Sequence, residues 1–251
     1  MIEVRKVSAE DVAGICDHTF LNRPECYRGK DLDPVTAYAG DLHSFIQETL
    51  TLATQPYAVC IRAEETSRVR KWLEAANRES IKIVACVGFP LGDLIPTAAK
   101  VYETYNALDQ GAAEVDMVLC WEALREAQHP VVHSDVAAVV KAAHANKALV
   151  KVVLEVCQLT ETQIREACRI CAEEGADFVK TSTGFSKSGA TIGALQAMRK
   201  NFSGGIKLAG GVNHKNVGEL LVAAIGDMVP QLDPLKVRIG ESSLLLPLSP
   251  A

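Results

Sequence analysis

Short, continuous apolar runs alternate with longer amphipathic stretches along the whole chain. Runs that are apolar throughout, rather than at every second position, are typical of strands buried on both faces of a sheet. The pattern predicts eight such strands, at residues 14–16, 57–61, 81–87, 114–119, 149–156, 178–181, 205–209 and 236–239.

The stretches between these runs read as helices, and the clearest are 98–110 and 160–174. The second opens with Thr160-Glu-Thr-Gln, a capping box in which the threonine and glutamine side chains satisfy free backbone N–H groups. Gly111 and Gly175 follow these helices, where a glycine commonly ends a helix in a left-handed conformation.

Eight buried strands that alternate with helices within 251 residues predict an α/β fold, the (β/α)8 TIM barrel. The rival is a doubly wound open sheet. That fold is expected to carry a Gly-x-Gly-x-x-Gly turn after its first strand, and the sequence has none there. No linker or repeat interrupts the pattern, so we expect residues 1–251 to form a single domain.

Composition narrows the function classes. The net charge of −5 argues against a nucleic-acid binder. The N-terminal residues lack an apolar signal-peptide core, and no stretch has the length of a membrane span. We therefore expect a cytoplasmic protein with no membrane association. The eight cysteines are then expected to be reduced. Neither Cys168-Arg-Ile-Cys171 nor the His129/His133 pair completes a metal motif, so no metal site is predicted.

Four charged residues interrupt strands that otherwise read as buried: Asp116, Lys151, Lys180 and Lys207, on predicted strands four to seven. In α/β barrels catalytic groups come from the ends of several strands. Three lysines around one carboxylate would favour loss of a proton from one lysine, making it a nucleophile. Lowering a lysine pKa from about 10.4 to about 7.5 takes roughly 4 kcal/mol. The alternative is that each lysine neutralises a buried carboxylate.

Glycine-rich and hydroxyl-rich turns follow the last strands. Gly210 and Gly211 come after strand seven, and Ser242 and Ser243 after strand eight. In barrels of this type the loops after these two strands commonly bind phosphate. Thr183 and Gly184, after strand six, would extend the same pocket. The alternative is that these are turn and cap residues without a ligand.

Taken together these residues resemble the deoxyribose-phosphate aldolases. The resemblance runs from about Asp17 to Leu245. Its motifs are Asp17-His-Thr19, Gly88-Phe-Pro-Leu-Gly92, Glu114-Val-Asp-Met-Val118, Lys151-Val-Val-Leu-Glu155, Asp177-Phe-Val-Lys-Thr-Ser-Thr-Gly184 and the strand that carries Lys207 and Gly210-Gly211.

The resemblance implies a class I aldolase that needs no metal and no cofactor. It would cleave 2-deoxy-D-ribose 5-phosphate reversibly to acetaldehyde and D-glyceraldehyde 3-phosphate. Lys180 matches the lysine that forms the Schiff base, and Lys207 the lysine that lowers its pKa. Asp116 matches the carboxylate that moves protons, and Lys151 a lysine that supports it. The positions that would line the substrate pocket are Asp17, Thr19 and Cys60, the last with core packing as its alternative.

Some positions depart from the family pattern. Glu241 places a negative charge beside the expected phosphate site, and Phe185 supplies no cation after Gly184, although Lys187 is near. The segment 246–251 has no tyrosine, the residue that some members use for proton transfer. A related aldolase with another acceptor aldehyde, or a non-catalytic sugar-phosphate-binding barrel, stays open as an alternative. The family resemblance also suggests a homodimer.

Overall fold

The computed structural model describes residues 1–29 and 32–246. Eight parallel strands form a closed barrel, in which β8 pairs with both β7 and β1. The strands are β1 Cys16–Phe20, β2 Ala58–Arg62, β3 Lys82–Val87, β4 Glu114–Val118, β5 Leu149–Val153, β6 Phe178–Lys180, β7 Gly205–Ala209 and β8 Val237–Glu241. The predicted TIM barrel is therefore confirmed.

Helices connect the strands on the outside of the barrel. They are α1 Ala9–Ala13, α2 Pro34–Thr51, α3 Thr66–Ala75, α4 Thr97–Asp109, α5 Trp121–Arg125, α6 His129–His144, α7 Glu161–Glu173, α8 Ile192–Asn201 and α9 Val217–Ile225. The predicted capping box at Thr160 opens α7, and Gly111 and Gly175 adopt positive φ angles of 102° and 78° after α4 and α7.

The first predicted strand is wrong in position. Residues 14–16 were expected, but β1 runs from Cys16 to Phe20 and includes the polar segment Asp17-His-Thr. Asp17 and His18 are fully buried in the strand. The apolar pattern missed them because ion pairing, described below, compensates the burial of Asp17. At the other end of the chain β8 extends to Glu241, two residues beyond the prediction.

The apolar core lies in two places. Two large clusters fill the space between the outer surface of the barrel and the helices. A third, smaller cluster lies inside the barrel; its members include Cys60, Val84, Cys86, Val118 and Val153. The barrel interior around this cluster is buried, so charges there interact more strongly than they would in water.

Outside the barrel, Ile2–Glu3 pairs antiparallel with Met228–Val229. Among the described helices, none combines the length and the apolar character that crossing a membrane requires. The cysteines of the Cys168-Arg-Ile-Cys171 motif are buried in α7 and pack in the outer core. His129 and His133 lie on α6 and pair with glutamates of the α7 region.

Candidate active site

Asp116 of β4 is the centre of a buried ionic cluster inside the barrel. Its Oδ2 atom accepts hydrogen bonds from Nζ of Lys180 and from Nζ of Lys207, each at 2.8 Å. Its Oδ1 atom accepts from Nζ of Lys151 at 3.0 Å. The four charged residues that the sequence singled out therefore meet around one carboxylate.

A second set of charges lies directly below, towards the amino-terminal ends of the strands. Arg238 of β8 bonds Asp17 Oδ1 at 2.5 Å and Glu114 Oε1 at 2.8 Å. Its guanidinium also lies 3.7 Å from the centre of the Tyr57 ring, a cation–π contact. Lys151 Nζ is 2.6 Å from Glu114 Oε2, so this lysine joins the two sets.

Asp17 links the two sets on the opposite side of the barrel. Its Oδ2 atom lies 2.6 Å from Nζ of Lys207. Both carboxylate oxygens of Asp17 are thus engaged by cations, and the residue is fully buried. Because the side chain is already paired, it shapes the charge around Lys207, and its contact with the substrate stays a prediction.

The fully buried network contains four cations and three carboxylates, so it carries one excess positive charge. The cations are Lys151, Lys180, Lys207 and Arg238; the carboxylates are Asp17, Glu114 and Asp116. Lys82, whose side chain is 41% exposed, approaches Glu114 only at 3.9 Å. Burial of an unpaired ion lowers the stability of the folded protein by several kcal/mol. In this network each ion lies in close contact with an ion of opposite charge.

The network sets the pKa values of its members. Burial alone would raise the pKa of Asp116, but the ammonium groups of Lys151, Lys180 and Lys207 outweigh it and hold that pKa well below its ordinary value. Burial lowers the pKa of Lys180, yet the contact with Asp116 outweighs burial, so the pKa of Lys180 is raised.

The prediction that crowding lowers a lysine pKa is therefore wrong for this arrangement. The sequence pattern predicts a single carboxylate among the lysines, whereas Asp17 and Glu114 also lie in the network. The pKa of Lys207 is raised well above its ordinary value because Asp116 and Asp17 outweigh the effect of burial. Lys207 still acts on Lys180 in the expected direction, since its positive charge lowers the pKa of Lys180.

Strand periodicity and register place these side chains. Glu114 and Asp116 are two residues apart on β4, so both point to the same face of the strand, into the barrel. The parallel register pairs Asp116 with Lys151, and Lys180 with Lys207. Gly240 on β8 leaves space for the side chain of Lys207, because a Cβ atom at position 240 would lie 2.9 Å from Cε of Lys207.

Two cysteines border the cluster. Cys60 Sγ lies 3.6 Å from Cys86 Sγ and 3.7 Å from Lys207 Nζ. The hydrogen bond between the two thiols lowers the pKa of Cys60, and the charge of Lys207 lowers it further. Together they outweigh burial, which raises this pKa, and bring it to about 7. Cys60, Cys86 and Asp116 are close enough to share a metal ion. However, three ammonium groups already occupy both oxygens of Asp116, and they would repel a cation.

The loop after β6 forms one part of the rim. Thr183 donates from its hydroxyl to Glu155 Oε2 at 2.5 Å and from its backbone N–H at 3.3 Å. Glu155 is buried, has a left-handed φ of 55°, and has a raised pKa owing to burial. Gly184 follows with a φ of 88°. Glu155 therefore positions this loop directly after Lys180, a role that was not predicted from the sequence.

The turns after β7 and β8 form the rest of the rim. Gly210 and Gly211 have φ angles of 82° and 73°, and the N–H of Ala190 donates to Gly210 O at 3.0 Å. Ser242 and Ser243 lie where the sequence placed them, but their hydroxyls donate to Glu241 Oε1, at 3.1 and 3.3 Å. The expected phosphate donors therefore already have a carboxylate partner.

Thr19, at the carboxyl end of β1, lies next to the turn after β8, because β1 pairs with β8. Its hydroxyl donates to the carbonyl of Asp17 at 2.6 Å, and the residue borders the same cavity as Ser242. Residues 247–251, which include most of the tyrosine-free segment, lie outside the described residues.

Residues 15–232 match the family model described as DeoC/LacD family aldolase. The chain belongs to the DeoC/LacD aldolase family. It is 38% identical over 238 residues to the deoxyribose-phosphate aldolase of Bacillus subtilis, covering 92% of this chain and 96% of that protein. It is 44% identical over 158 residues to the deoxyribose-phosphate aldolase of Thermococcus kodakarensis, covering 62% of this chain and 70% of that protein.

The fold of this chain is similar to the solved structures of other aldolases. The tetrameric deoxyribose phosphate aldolase of Aeropyrum pernix superposes with a TM-score of 0.73 at 25% identity, over 95% of this chain and 89% of that one. The aldolase QR15 gives a TM-score of 0.73 at 26% identity, over 94% of this chain and 93% of that one.

Sequence reasoning missed Glu114 and Arg238 as members of the charged network. The signal for Glu114 was available, because it precedes Asp116 by two positions on a buried strand. For Arg238 the signal was its place between the apolar residues Val237 and Ile239. Neither signal identifies the partner, since the Arg238–Asp17 contact joins residues 221 positions apart.

Proposed function

We propose that the protein is a class I aldolase that cleaves 2-deoxy-D-ribose 5-phosphate reversibly to acetaldehyde and D-glyceraldehyde 3-phosphate, with Lys180 as the Schiff-base residue. The observation that carries this proposal is the contact of Lys180 and Lys207 with one oxygen of Asp116 in the buried interior of the barrel. The relatives named deoxyribose-phosphate aldolase support the choice of substrate. The cytoplasmic setting and the homodimer stay predictions.

Release of Lys180 from Asp116 generates the nucleophile. While the contact lasts, Asp116 keeps the pKa of Lys180 raised, although burial and the charge of Lys207 both act to lower it. When the incoming carbonyl group takes the place of Lys180 beside Asp116, the largest raising influence on the Lys180 pKa weakens, while burial and the charge of Lys207 still act to lower it. The amine then loses its proton and can attack the aldehyde carbon.

The covalent steps conserve atoms and protons. The Lys180 amine adds to the C1 aldehyde, and loss of water leaves an iminium ion. Removal of the proton from the C3 hydroxyl breaks the C2–C3 bond, and its electron pair moves to the iminium nitrogen to give an enamine. D-Glyceraldehyde 3-phosphate leaves, C2 is protonated, and hydrolysis of the resulting iminium releases acetaldehyde. Asp116, which accepts hydrogen bonds from Lys180 and Lys207, is placed to transfer protons to and from the Lys180 nitrogen and the carbinolamine oxygen.

The test is acetaldehyde release from 2-deoxy-D-ribose 5-phosphate by the wild type and by Lys180→Leu. The variant is expected to lose turnover by at least about a thousandfold while keeping its circular-dichroism spectrum, because no other group forms the covalent intermediate. Lys200→Leu, at the exposed end of α8, is the control and should retain wild-type turnover. Wild-type turnover in Lys180→Leu would contradict the proposal.

A further inference from the structure

Glu241, the last residue of β8, occupies the donor groups that would otherwise face an anion. Its Oε1 atom accepts from the backbone N–H of Ser242 at 2.7 Å, from the Ser242 hydroxyl at 3.1 Å and from the Ser243 hydroxyl at 3.3 Å. A phosphate bound at this turn would need the same donors. It would also face the negative charge of Glu241 at close range.

The cavity beside Ser242 is also lined by negatively charged and hydroxyl side chains. Ser242 and Thr19 border a cavity of about 510 Å³ whose lining includes two carboxylates, Asp41 and Glu48. Among the described residues that line this cavity, none is a lysine or an arginine. The cavity therefore offers acceptors and hydroxyl groups, which suit a neutral polyhydroxy compound better than a dianion.

The loop after β6 adds no positive charge at the position directly after Gly184. Phe185 stands there, and its ring packs edge-to-face on Phe89, with 5.3 Å between ring centres. A protein group that carries the same sign of charge as a ligand weakens the binding of that ligand, as the loss of a favourable contact does. The carboxylate of Glu241 thus weakens recognition of a phosphate, and Phe185 supplies no cation to offset it, whereas Lys187, two residues further along the loop, is exposed.

We propose that Glu241 is a specificity-determining residue that favours neutral, hydroxylated acceptor aldehydes over phosphorylated ones. The inference rests on the proposed aldolase function, and it deepens that function by naming a second substrate class, sugars such as 2-deoxy-D-ribose without the phosphate. A substrate hydroxyl group can donate to Glu241 or to the oxygen of Ser242 or Ser243, whose own O–H groups stay on the carboxylate, so a neutral terminus binds without displacing Glu241.

The experiment compares kcat/KM for 2-deoxy-D-ribose 5-phosphate with kcat/KM for 2-deoxy-D-ribose. Glu241→Ala is expected to raise this ratio about tenfold, equivalent to about 1.4 kcal/mol, mainly through a lower KM for the phosphate ester. Glu241→Gln keeps the size of the side chain and removes its charge, so it should raise the ratio too. Glu79→Ala, an exposed residue of the turn before β3, is the control and should keep the wild-type ratio.

An unchanged or lower ratio in Glu241→Ala would overturn the inference. So would a wild-type ratio in Glu241→Gln, because the effect would then not come from charge. Titration with inorganic phosphate, followed by calorimetry, gives a readout that does not depend on catalysis; phosphate should bind about tenfold more tightly to Glu241→Ala than to the wild type. Equal phosphate affinity overturns the inference even if the aldolase activity stands, whereas failure of the aldolase proposal leaves the phosphate titration informative.

Discussion

Lys180 and Lys207 are register partners on adjacent parallel strands, and their Nζ atoms donate to the same carboxylate oxygen, Oδ2 of Asp116. This geometry places a second cation beside the proposed nucleophile while one carboxylate keeps both lysines charged. Reactivity of Lys180 therefore depends on how firmly Asp116 holds it.

Replacing Lys207 with methionine is expected to shift the pH dependence of catalysis. The charge of Lys207 lowers the pKa of Lys180, so its removal raises that pKa. Because the neutral amine is the reactive form, the ascending limb of kcat/KM against pH should move to higher pH, with a lower kcat at neutral pH. The control, Lys200→Met on the surface of α8, should keep the wild-type limb. An unshifted limb in Lys207→Met would show that Lys207 does not tune Lys180.

Replacing Asp116 with asparagine is expected to lower the free energy of unfolding by about 3–5 kcal/mol, because it leaves buried cations without their partner. The double variant Asp116→Asn/Lys180→Leu removes one charge of each sign and restores the original excess of one positive charge. It should be more stable than Asp116→Asn alone by about 0.5–3 kcal/mol, measured by denaturant unfolding.

A second pair tests whether this recovery is specific. Asp135 forms a buried ion pair with Lys100 at 2.5 Å, between α6 and α4, outside the barrel. Asp135→Asn combined with Lys180→Leu should therefore show additive losses. Additive losses in the Asp116→Asn/Lys180→Leu pair as well would mean that Lys180 and Asp116 are not coupled in the folded protein.

His18 makes stability depend on pH on the acid side. Its ring stacks on Phe45 with 4.6 Å between centres, and burial lowers its pKa to about 4. An unfolded histidine has a pKa of about 6.5, so between these values the unfolded state binds a proton that the folded state does not. Stability should therefore fall as the pH drops from about 6.5 to about 4, by up to roughly 3 kcal/mol.

The substitution His18→Phe keeps an aromatic ring on Phe45 and removes the titration. Urea unfolding over this pH interval should then show a smaller slope than the wild type. His43→Phe replaces an exposed histidine that contacts Trp72, and it should keep the wild-type slope. Equal slopes in His18→Phe and the wild type would mean that His18 is not the group responsible.

Much of the fold could be predicted from the sequence, because barrel strands are buried on both faces and therefore read as continuous apolar runs. The position of β1 could not, since Asp17 is buried only through pairing with residues far along the chain. Its partner Arg238 lies 221 positions away and reaches it because β8 closes the barrel against β1.

Part of the candidate site could also be predicted from the sequence, and part could not. Asp116, Lys151, Lys180 and Lys207 could be selected because a charge inside an apolar strand needs an explanation, and consecutive strands bring such charges together. The direction of the Lys180 pKa could not be predicted, since it depends on the contact with Asp116 and on the full count of carboxylates. The engagement of Ser242 by Glu241 depends on a rotamer, which a sequence does not specify.

The central claim is that Lys180 forms the Schiff base, and borohydride trapping tests it most directly. The protein is incubated with 2-deoxy-D-ribose 5-phosphate, reduced, digested and mapped by mass spectrometry. The account predicts a reduced adduct, from the five-carbon substrate or from acetaldehyde, on the peptide that contains Lys180, and its absence in Lys180→Leu. An adduct on Lys207 or Lys151 in the wild type, or no adduct on the folded protein, would contradict the account.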